Sequence, residues 1–466
     1  MSDLMFSSLA LSSELIDNLA TLGYAEMTPI QAQSLPPILQ GQDLIGQAKT
    51  GSGKTVAFGL GVLNNVDVNR YRIQALVLCP TRELAEQVAT ELRKLARATH
   101  NLKVLALCGG SPFGPQAKSL KHGAHIIIGT PGRVEDHLRK GNFRLNDLNT
   151  FVLDEADRML DAGFQAALDE IARYIPAQRQ TLLFSATYPP AIQAMANRVM
   201  RSPVFVEVAE AHEQSSIEQR FYRVEAEEAR LAALVALLLH YRPQSSLVFC
   251  NTKAETIKVA NALVEQGFSA LALHGDMDQK DRDKSLVRFA NKSVSICVAT
   301  DVAARGLDIE ALDAVVNYDI ARELAVHTHR IGRTGRAGAK GIALTLATEK
   351  QQFKVDRLKE QSNSSASIDD QFQLQPLPAP GPHEQTAFKP QFSSLLIDGG
   401  KKHKLRAGDI LGALTASSDI RAGDIGKIKI FSFHSYVAVK REVADDALTT
   451  LSDNRLKGKH FRVKRL

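Results

Sequence analysis

Short apolar runs rich in β-branched residues alternate, from Asp43 to Val206, with stretches whose apolar positions recur every three or four residues. The runs predict strands at 74–80, 103–109, 125–130, 150–154 and 181–185, and the periodic stretches predict helices at 82–98, 132–140 and 189–200. Continuous apolar strands separated by helices imply a parallel sheet covered on both faces. The same rhythm restarts after Ala209, with strands expected at 246–250, 270–274, 295–300, 314–319 and 342–346 and helices at 253–266 and 280–290. A helix over 350–360 closes this second part. Residues 361–390 then lose all periodicity and gather Pro376, Pro378, Pro380, Pro382 and Pro390, the pattern of a flexible, partly extended linker. Order returns as β–α–β–β–α–β at 394–397, 407–416, 425–431, 436–439, 443–451 and 460–464, which fits a small antiparallel sheet backed by two helices. The expected architecture is α/β, with domains at 1–208 and 209–360, a linker over 361–390 and a small α+β domain at 391–466.

Hydrophobic content of 44% and charged content of 23% are ordinary for a globular chain of 466 residues. No apolar run reaches membrane-spanning length, and Met1 to Ser13 has no basic segment before its apolar residues, so neither a membrane anchor nor a signal peptide is expected. Cys79, Cys108, Cys250 and Cys297 are widely spaced within apolar runs and read as buried hydrophobes of a reducing compartment, the cytoplasm. Charge is unevenly placed. Residues 391–466 hold 15 Lys+Arg against 8 Asp+Glu, a net of +7, so the rest of the chain is close to neutral and the total of +6 comes from the tail. A concentrated basic module points to an anionic partner, foremost nucleic acid.

The candidate chemistry centres on Ala48-Lys49-Thr50-Gly51-Ser52-Gly53-Lys54-Thr55, between the apolar run 43–47 and a helical pattern. A strand, a glycine-rich turn and a helix start form a nest of backbone N–H groups at a positive helix end. Glycine admits phosphates closely, Lys54 reaches the β/γ oxygens, and the Thr55 hydroxyl can ligate Mg²⁺. Ala48 stands where the general pattern has Gly. About 100 residues on, Asp154-Glu155-Ala156-Asp157 ends a predicted strand. Acids at the carboxyl end of a strand, on the edge where the phosphate loop lies, can hold Mg²⁺ and polarise an attacking water. ATP and Mg²⁺ are the expected cofactors.

With these motifs the sequence resembles the DEAD-box RNA helicases, and the two α/β domains are then expected to be RecA-like. Phe6 with Gly23-Tyr24-Ala25-Glu26-Met27-Thr28-Pro29-Ile30-Gln31 is similar to the family's adenine-reading Q motif, and Ala48 in the first loop position also fits it. The resemblance implies RNA contacts in the first domain at Arg82 (in Pro80-Thr81-Arg82-Glu83-Leu84-Ala85), Gly110 (after Gly109), Thr130 and Arg133. In the second domain it implies them at Thr252 beside Asn251, at Gln279 and Arg282, and at Thr300 with Arg305. Ser185-Ala186-Thr187 corresponds to the motif that couples hydrolysis to strand separation, with His329 as a further coupling residue. In His329-Arg330-Ile331-Gly332-Arg333-Thr334-Gly335-Arg336 the resemblance makes Arg333 and Arg336 arginine fingers, and it makes Asp308 a ribose contact. Such fingers, worth roughly 10³–10⁵ in rate, would come from the second domain, so catalysis should require domain closure.

The tail, through Ile397-Asp398-Gly399-Gly400-Lys401-Lys402, 408–414 and 424–428, is similar to the DbpA subfamily. There an RRM-like domain directs the core to a hairpin of large-subunit ribosomal RNA, which implies pre-ribosomal particles as partners and no required protein partner. An ordinary RRM stacks bases on aromatics of its two central strands. The equivalent strands here contain one aromatic, Tyr436, so charge and shape readout is expected through Lys401, Lys402, Lys427, Lys429, Arg455, Lys457 and Lys459. Phe431, Phe433 and His434 offer stacking surfaces, with core packing the expected use of both Phe. The whole predicts an RNA-dependent ATPase that unwinds short duplexes. An ATP-gated RNA clamp with incidental unwinding is the alternative; a DNA translocase would share the two-domain motor, but the Q motif and the Asp154–Asp157 tetrad argue against it.

Overall fold

The computed structural model describes residues 4–48, 51–208, 217–304, 312–321, 323–335, 341–361, 372–378, 386–416 and 419–466. The chain divides near residue 211 into two compact units.

The first unit is built on a seven-stranded parallel sheet: β1 (Leu44–Gln47), β2 (Ala75–Leu78), β3 (Val104–Leu107), β4 (Ile126–Gly129), β5 (Thr150–Asp154), β6 (Gln180–Ser185) and β7 (Val204–Glu207), in the order β3-β4-β2-β5-β6-β1-β7. The central strands are buried throughout, as β-branched runs covered on both faces must be. One face packs Phe58, Leu60, Val88 and Leu92 against Val77, Val152 and Phe184, and the other packs Leu76, Ile127 and Leu153 against Val134, Met159 and Ile192. Asp43 at the foot of β1 accepts hydrogen bonds from the backbone N–H groups of Thr181 and Arg201, both at 2.7 Å, and so ties the sheet's centre to its edge.

The second unit repeats this wiring. Its parallel strands are β8 (Ile217–Val224), β9 (Ser246–Phe249), β10 (Ala270–Leu273), β11 (Ile296–Ala299), β12 (Ala314–Asn317), β13 (Gly341–Thr348) and β14 (Leu374–Gln375), in the order β10-β11-β9-β12-β13-β8-β14. Counted from its own first strand, that is the order of the first sheet. The predicted strands fall on these elements with one- or two-residue differences at their ends. Strands β7 and β8 and the helix Arg230–Tyr241 were not predicted: two partly exposed strands and an almost uninterrupted apolar helix carry no clean period.

The stretch expected to be a flexible linker departs further from expectation. Within it, β14 pairs with β8 at Leu374↔Phe221 and Gln375↔Tyr222 and takes the place that β7 has in the first sheet. Phe372 is buried against Phe221 (5.3 Å between centroids), and Phe388 packs edge-on to Phe268 (5.8 Å). Two aromatic anchors, invisible to a search for periodicity, hold this segment to the domain.

The tail contributes a four-stranded antiparallel sheet of β15 (Phe392–Ile397), β16 (Ile425–Ile430), β17 (Ser435–Lys440) and β18 (Val463–Arg465), ordered β16-β17-β15-β18. Leu395, Ile397, Val437 and Val439 pack on the helices Ala407–Thr415 and Ala444–Asp453 through Ile410, Leu414, Ala447 and Leu451. The opposite face is covered as well. Ser394 is fully buried, accepts from Asn291 Nδ2 (3.2 Å) and shares a hydrogen bond with Ser293 Oγ (2.8 Å), both in the turn after the helix Gln279–Ala290.

Candidate functional site

At the carboxyl edge of the first sheet, β1 runs into the glycine loop. Gly51 (φ +87°) and Gly53 (φ +97°) hold left-handed conformations, and Gly53 caps the helix Lys54–Asn65. A Cβ on Gly53 would lie 2.4 Å from Gln31 Nε2, because the segment before it is bolted to the loop. Thr28 Oγ1 donates to Ser52 O (2.8 Å), Gln31 Nε2 to Gly53 O (3.1 Å), and Gln31 Oε1 accepts from Thr28 N (2.8 Å). The Gln31 amide, expected to read adenine, thus binds the loop backbone. Phe6 is buried in the core, edge-on to Tyr24 at 6.3 Å.

Ala48 is buried and donates its N–H to Ser185 O (3.0 Å), joining loop and β6. Lys54 folds back so that Nζ donates to Ala48 O at 2.5 Å. Burial pulls its pKa down, against the pull of Asp154, Glu155 and Asp157. Thr55 follows in the same first turn. Asp154 ends β5, and burial first, then the neighbouring Glu155, pushes its carboxyl up to about 7. Glu155 takes φ +52°, ψ +52°, a left-handed turn unusual for a side-chain-bearing residue, and opens the short helix Ala156–Asp161.

Asp157 faces the coupling motif. Its Oδ2 accepts from Thr187 N (3.2 Å) and Thr187 Oγ1 (3.1 Å), while its N–H donates to Ser185 Oγ (3.3 Å). The structure therefore gathers Gly51, Gly53, Lys54, Asp154, Glu155, Ser185 and Thr187 along one edge. It adds Arg158, which the sequence reading passed over: its Nη1 lies 3.3 Å from Glu155 Oε2, both side chains buried.

Further along this edge, Arg82 lies across Gly110. A Cβ there would sit 1.7 Å from Arg82 Nη1, and φ is +72°, so the glycine pair makes room for the guanidinium. Thr130 Oγ1 accepts from Gly109 N (3.4 Å). Arg133 donates to Ser111 O (2.8 Å) and Gln116 Oε1 (3.0 Å), and Gln116 donates in turn to Cys108 O (2.9 Å). Gln116 thus ties the helix Pro131–Arg139 to the glycine pair; a single polar residue on a helix gave no sequence signal of this.

In the second unit, Thr252 caps the helix Lys253–Glu265 by accepting from Glu255 N (3.2 Å). Gln279 donates to Asp283 (2.7 Å), Arg282 Nη2 to Ala303 O (2.9 Å), and Thr300 Oγ1 accepts from Ala303 N (3.4 Å). His329 and Arg333 lie near the end of the helix Leu324–Ile331. Arg330, between them, is the buried hub. It donates to Asp301 Oδ1 (2.6 Å) and Oδ2 (2.7 Å), Asn251 Oδ1 (3.0 Å) and Asp319 O (2.6 Å), so it binds three strand-end loops together. Lys49, Thr50, Arg305, Asp308 and Arg336 lie outside the described residues.

In the tail, Lys401, Lys402, Lys427, Lys429, Arg455, Lys457 and Lys459 are all exposed. Arg455 donates to His460 Nε2 (3.3 Å), and Lys457 pairs with Asp409 (3.4 Å). Tyr436 is buried beneath the covered sheet face. The expected core packing of both Phe fails for Phe433. It sits at the tip of the β16–β17 hairpin, beyond the reach of the core, and is 65% exposed.

Twice-repeated parallel wiring with a phosphate loop in its first copy, followed by a basic module, is the plan of an ATP-driven motor acting on nucleic acid. The chain matches the DEAD/DEAH box helicase family over residues 28–195, the helicase conserved C-terminal domain over 229–338 and the DbpA RNA binding domain over 394–465. It is 50% identical over 451 residues to the ATP-dependent RNA helicase DbpA of Escherichia coli K12, covering 97% of each chain. It is 43% identical over 346 residues to the DEAD-box ATP-dependent RNA helicase CshA of Geobacillus kaustophilus, 74% of each chain. The solved structure of S. cerevisiae Dbp5 bound to RNA and ADP BeF3 is similar at a TM-score of 0.70 and 29% identity, over 80% of this chain and 95% of that one. The chain belongs to the DEAD-box ATP-dependent RNA helicases, in the DbpA subfamily. No described helix is long and apolar enough to cross a membrane.

Proposed function

We propose that RNA-stimulated ATP hydrolysis by this chain drives local separation of short RNA duplexes, and that residues 391–466 direct it to a large-subunit ribosomal RNA hairpin during subunit assembly in the cytoplasm. The observation that carries the reading is the hydrogen bonding of Asp157 to Ser185 and Thr187, beside Lys54, Asp154 and Glu155. It joins the residues suited to cleaving a nucleotide to the motif that, by family resemblance, couples cleavage to RNA.

The loop N–H groups and Lys54 bind the phosphates, with Gln31 fixing the loop's shape. Thr55 and Asp154 fit Mg²⁺. The buried carboxyl of Asp154, pushed up to about 7, is one whose ionised form a cation would stabilise. When bound, Mg²⁺ supplies charge neutralisation at the phosphates. Glu155 orients and deprotonates the attacking water, and Arg333 and Arg336 stabilise the developing charge. Arg82, Gly110, Thr130, Arg133, Thr252, Gln279, Arg282, Thr300 and Arg305 hold the RNA backbone, and phosphate contacts of this kind position without reading sequence.

The test is ATPase stimulation by large-subunit ribosomal RNA fragments, with and without residues 391–466. Strong stimulation of the full chain alone is expected; equal stimulation of both would remove the tail from substrate choice.

A further inference from the structure

With its sheet face covered, the tail has lost the surface on which such a domain ordinarily stacks bases. Tyr436 is 2% exposed, and Ser394 and Ala438 beside it are as deeply buried. Among the described residues of 391–466, Phe433 alone presents an exposed phenyl or phenol ring; Phe392, Phe431 and Phe461 are half-buried.

That ring is mounted on a braced tip. Phe431 N donates to His434 O (2.9 Å), and the turn after β15 zips onto the same hairpin, Lys401 N donating to Phe431 O (2.8 Å) and Lys402 N to Ser432 O (2.9 Å). Gly400 permits this approach, since a Cβ there would fall 2.3 Å from Phe431 O. The Phe431 and His434 rings stack at 4.8 Å beneath the tip. Bracing of this kind lowers the entropy lost when a ligand is bound.

The surroundings are cationic. Lys401, Lys402 and Lys429 are exposed, and Lys429 Nζ lies 5.5 Å from the Phe431 ring centroid. The hairpin also adjoins the helix Gln279–Ala290, whose Lys280 and Asp283 act on the His434 imidazole and whose first turn carries Gln279 and Arg282. An apolar disc among lysines, next to a helix assigned to the RNA backbone, matches one ligand class: a nucleotide whose base is free of its partner.

We propose that Phe433 is a stacking platform for one unpaired RNA base, with Lys401, Lys402 and Lys429 holding the adjoining phosphates. This rests on the reading that the tail binds RNA.

The test uses the full chain, its Phe433→Ala and Phe433→Tyr variants, and a triple variant with Lys401, Lys402 and Lys429 changed to alanine. The probes are a fluorescein-labelled RNA hairpin with a single-stranded loop and a blunt duplex of the same stem, followed by anisotropy across a salt series. Phe433→Ala should weaken the looped hairpin about 5- to 150-fold, leave the blunt duplex alone and keep the salt slope, because no phosphate contact is lost. Phe433→Tyr should bind like the parent. Unchanged hairpin affinity in Phe433→Ala, or an equal loss on the blunt duplex, overturns the platform. If the lysine variant keeps both hairpin affinity and salt slope, these lysines do not hold the phosphates and the site fails. If removal of residues 391–466 leaves hairpin affinity unchanged, the tail's RNA binding itself fails, whereas a loss on that removal with a silent Phe433→Ala sinks only the platform.

Discussion

Arg158 Nη1 lies 3.3 Å from Glu155 Oε2, one helical turn away, with both side chains about 95% removed from solvent. A buried pair is weak evidence of net stabilisation, but breaking one strands its partner's charge. Arg158→Met should therefore destabilise the first unit by about 3–5 kcal/mol. The chain contains no tryptophan, so urea unfolding followed by circular dichroism is the suitable measurement. A midpoint matching the parent would contradict the cost assigned to the pair.

Glu155→Gln keeps the side chain's shape and its place in the left-handed turn while removing the basic oxygen. ATP and RNA affinity should be retained, and turnover should fall by a factor on the order of 10²–10⁴. Steady-state ATPase with saturating RNA checks this; near-parental turnover would take the base role from Glu155.

Gly110→Ala meets two obstacles at once, a left-handed backbone and the Arg82 guanidinium where its methyl must go. Stability should fall by about 1 kcal/mol or more, and RNA affinity should fall with the displaced Arg82 while nucleotide affinity holds. Equilibrium binding of both ligands separates the two effects.

Ser394→Arg would force a long cation into the covered face of the tail sheet, against Asn291 and Ser293. The tail's own core, Leu395 and Val437 on the opposite face, is untouched. The tail should undock yet stay folded, so limited trypsin digestion should release it as a stable fragment. A digestion pattern like the parent's would show that this face does not hold the tail.

His327 is buried, donates from Nε2 to Gln219 Oε1 (3.0 Å) and faces Arg330 and the Phe221 ring; burial, then the arginine's charge, holds its pKa down at about 4. Between pH 6.5 and 4 the unfolded chain takes up a proton here that the folded chain refuses. Stability should thus fall as pH drops through that window, by up to about 3 kcal/mol from this group. His327→Gln should flatten the slope; unfolding midpoints from pH 4.5 to 7.5 give the comparison.

The strands were legible because a sheet covered on both faces writes itself as uninterrupted apolar runs, as at Ile126–Gly129 and Ile296–Ala299. Gly53 and Asp154 were legible for a different reason, since phosphate and metal chemistry restrict residue type and spacing together. Arg158, Gln116 and Arg330 were not. Each acts through partners distant in sequence or through a buried geometry that many side chains could have filled. Strand β14 escaped notice because two residues have no period, and only Phe372 and Phe388 hint that its segment is anchored.

The shared strand order of the two parallel sheets makes β8 the counterpart of β1. Where β1 leads into glycines, β8 leads into Glu225-Ala226-Glu227-Glu228, three carboxylates in the turn that corresponds to the glycine loop. The turn after β8 is acidic where the turn after β1 is glycine-rich, so the two copies of the fold present opposite chemistry at matching places.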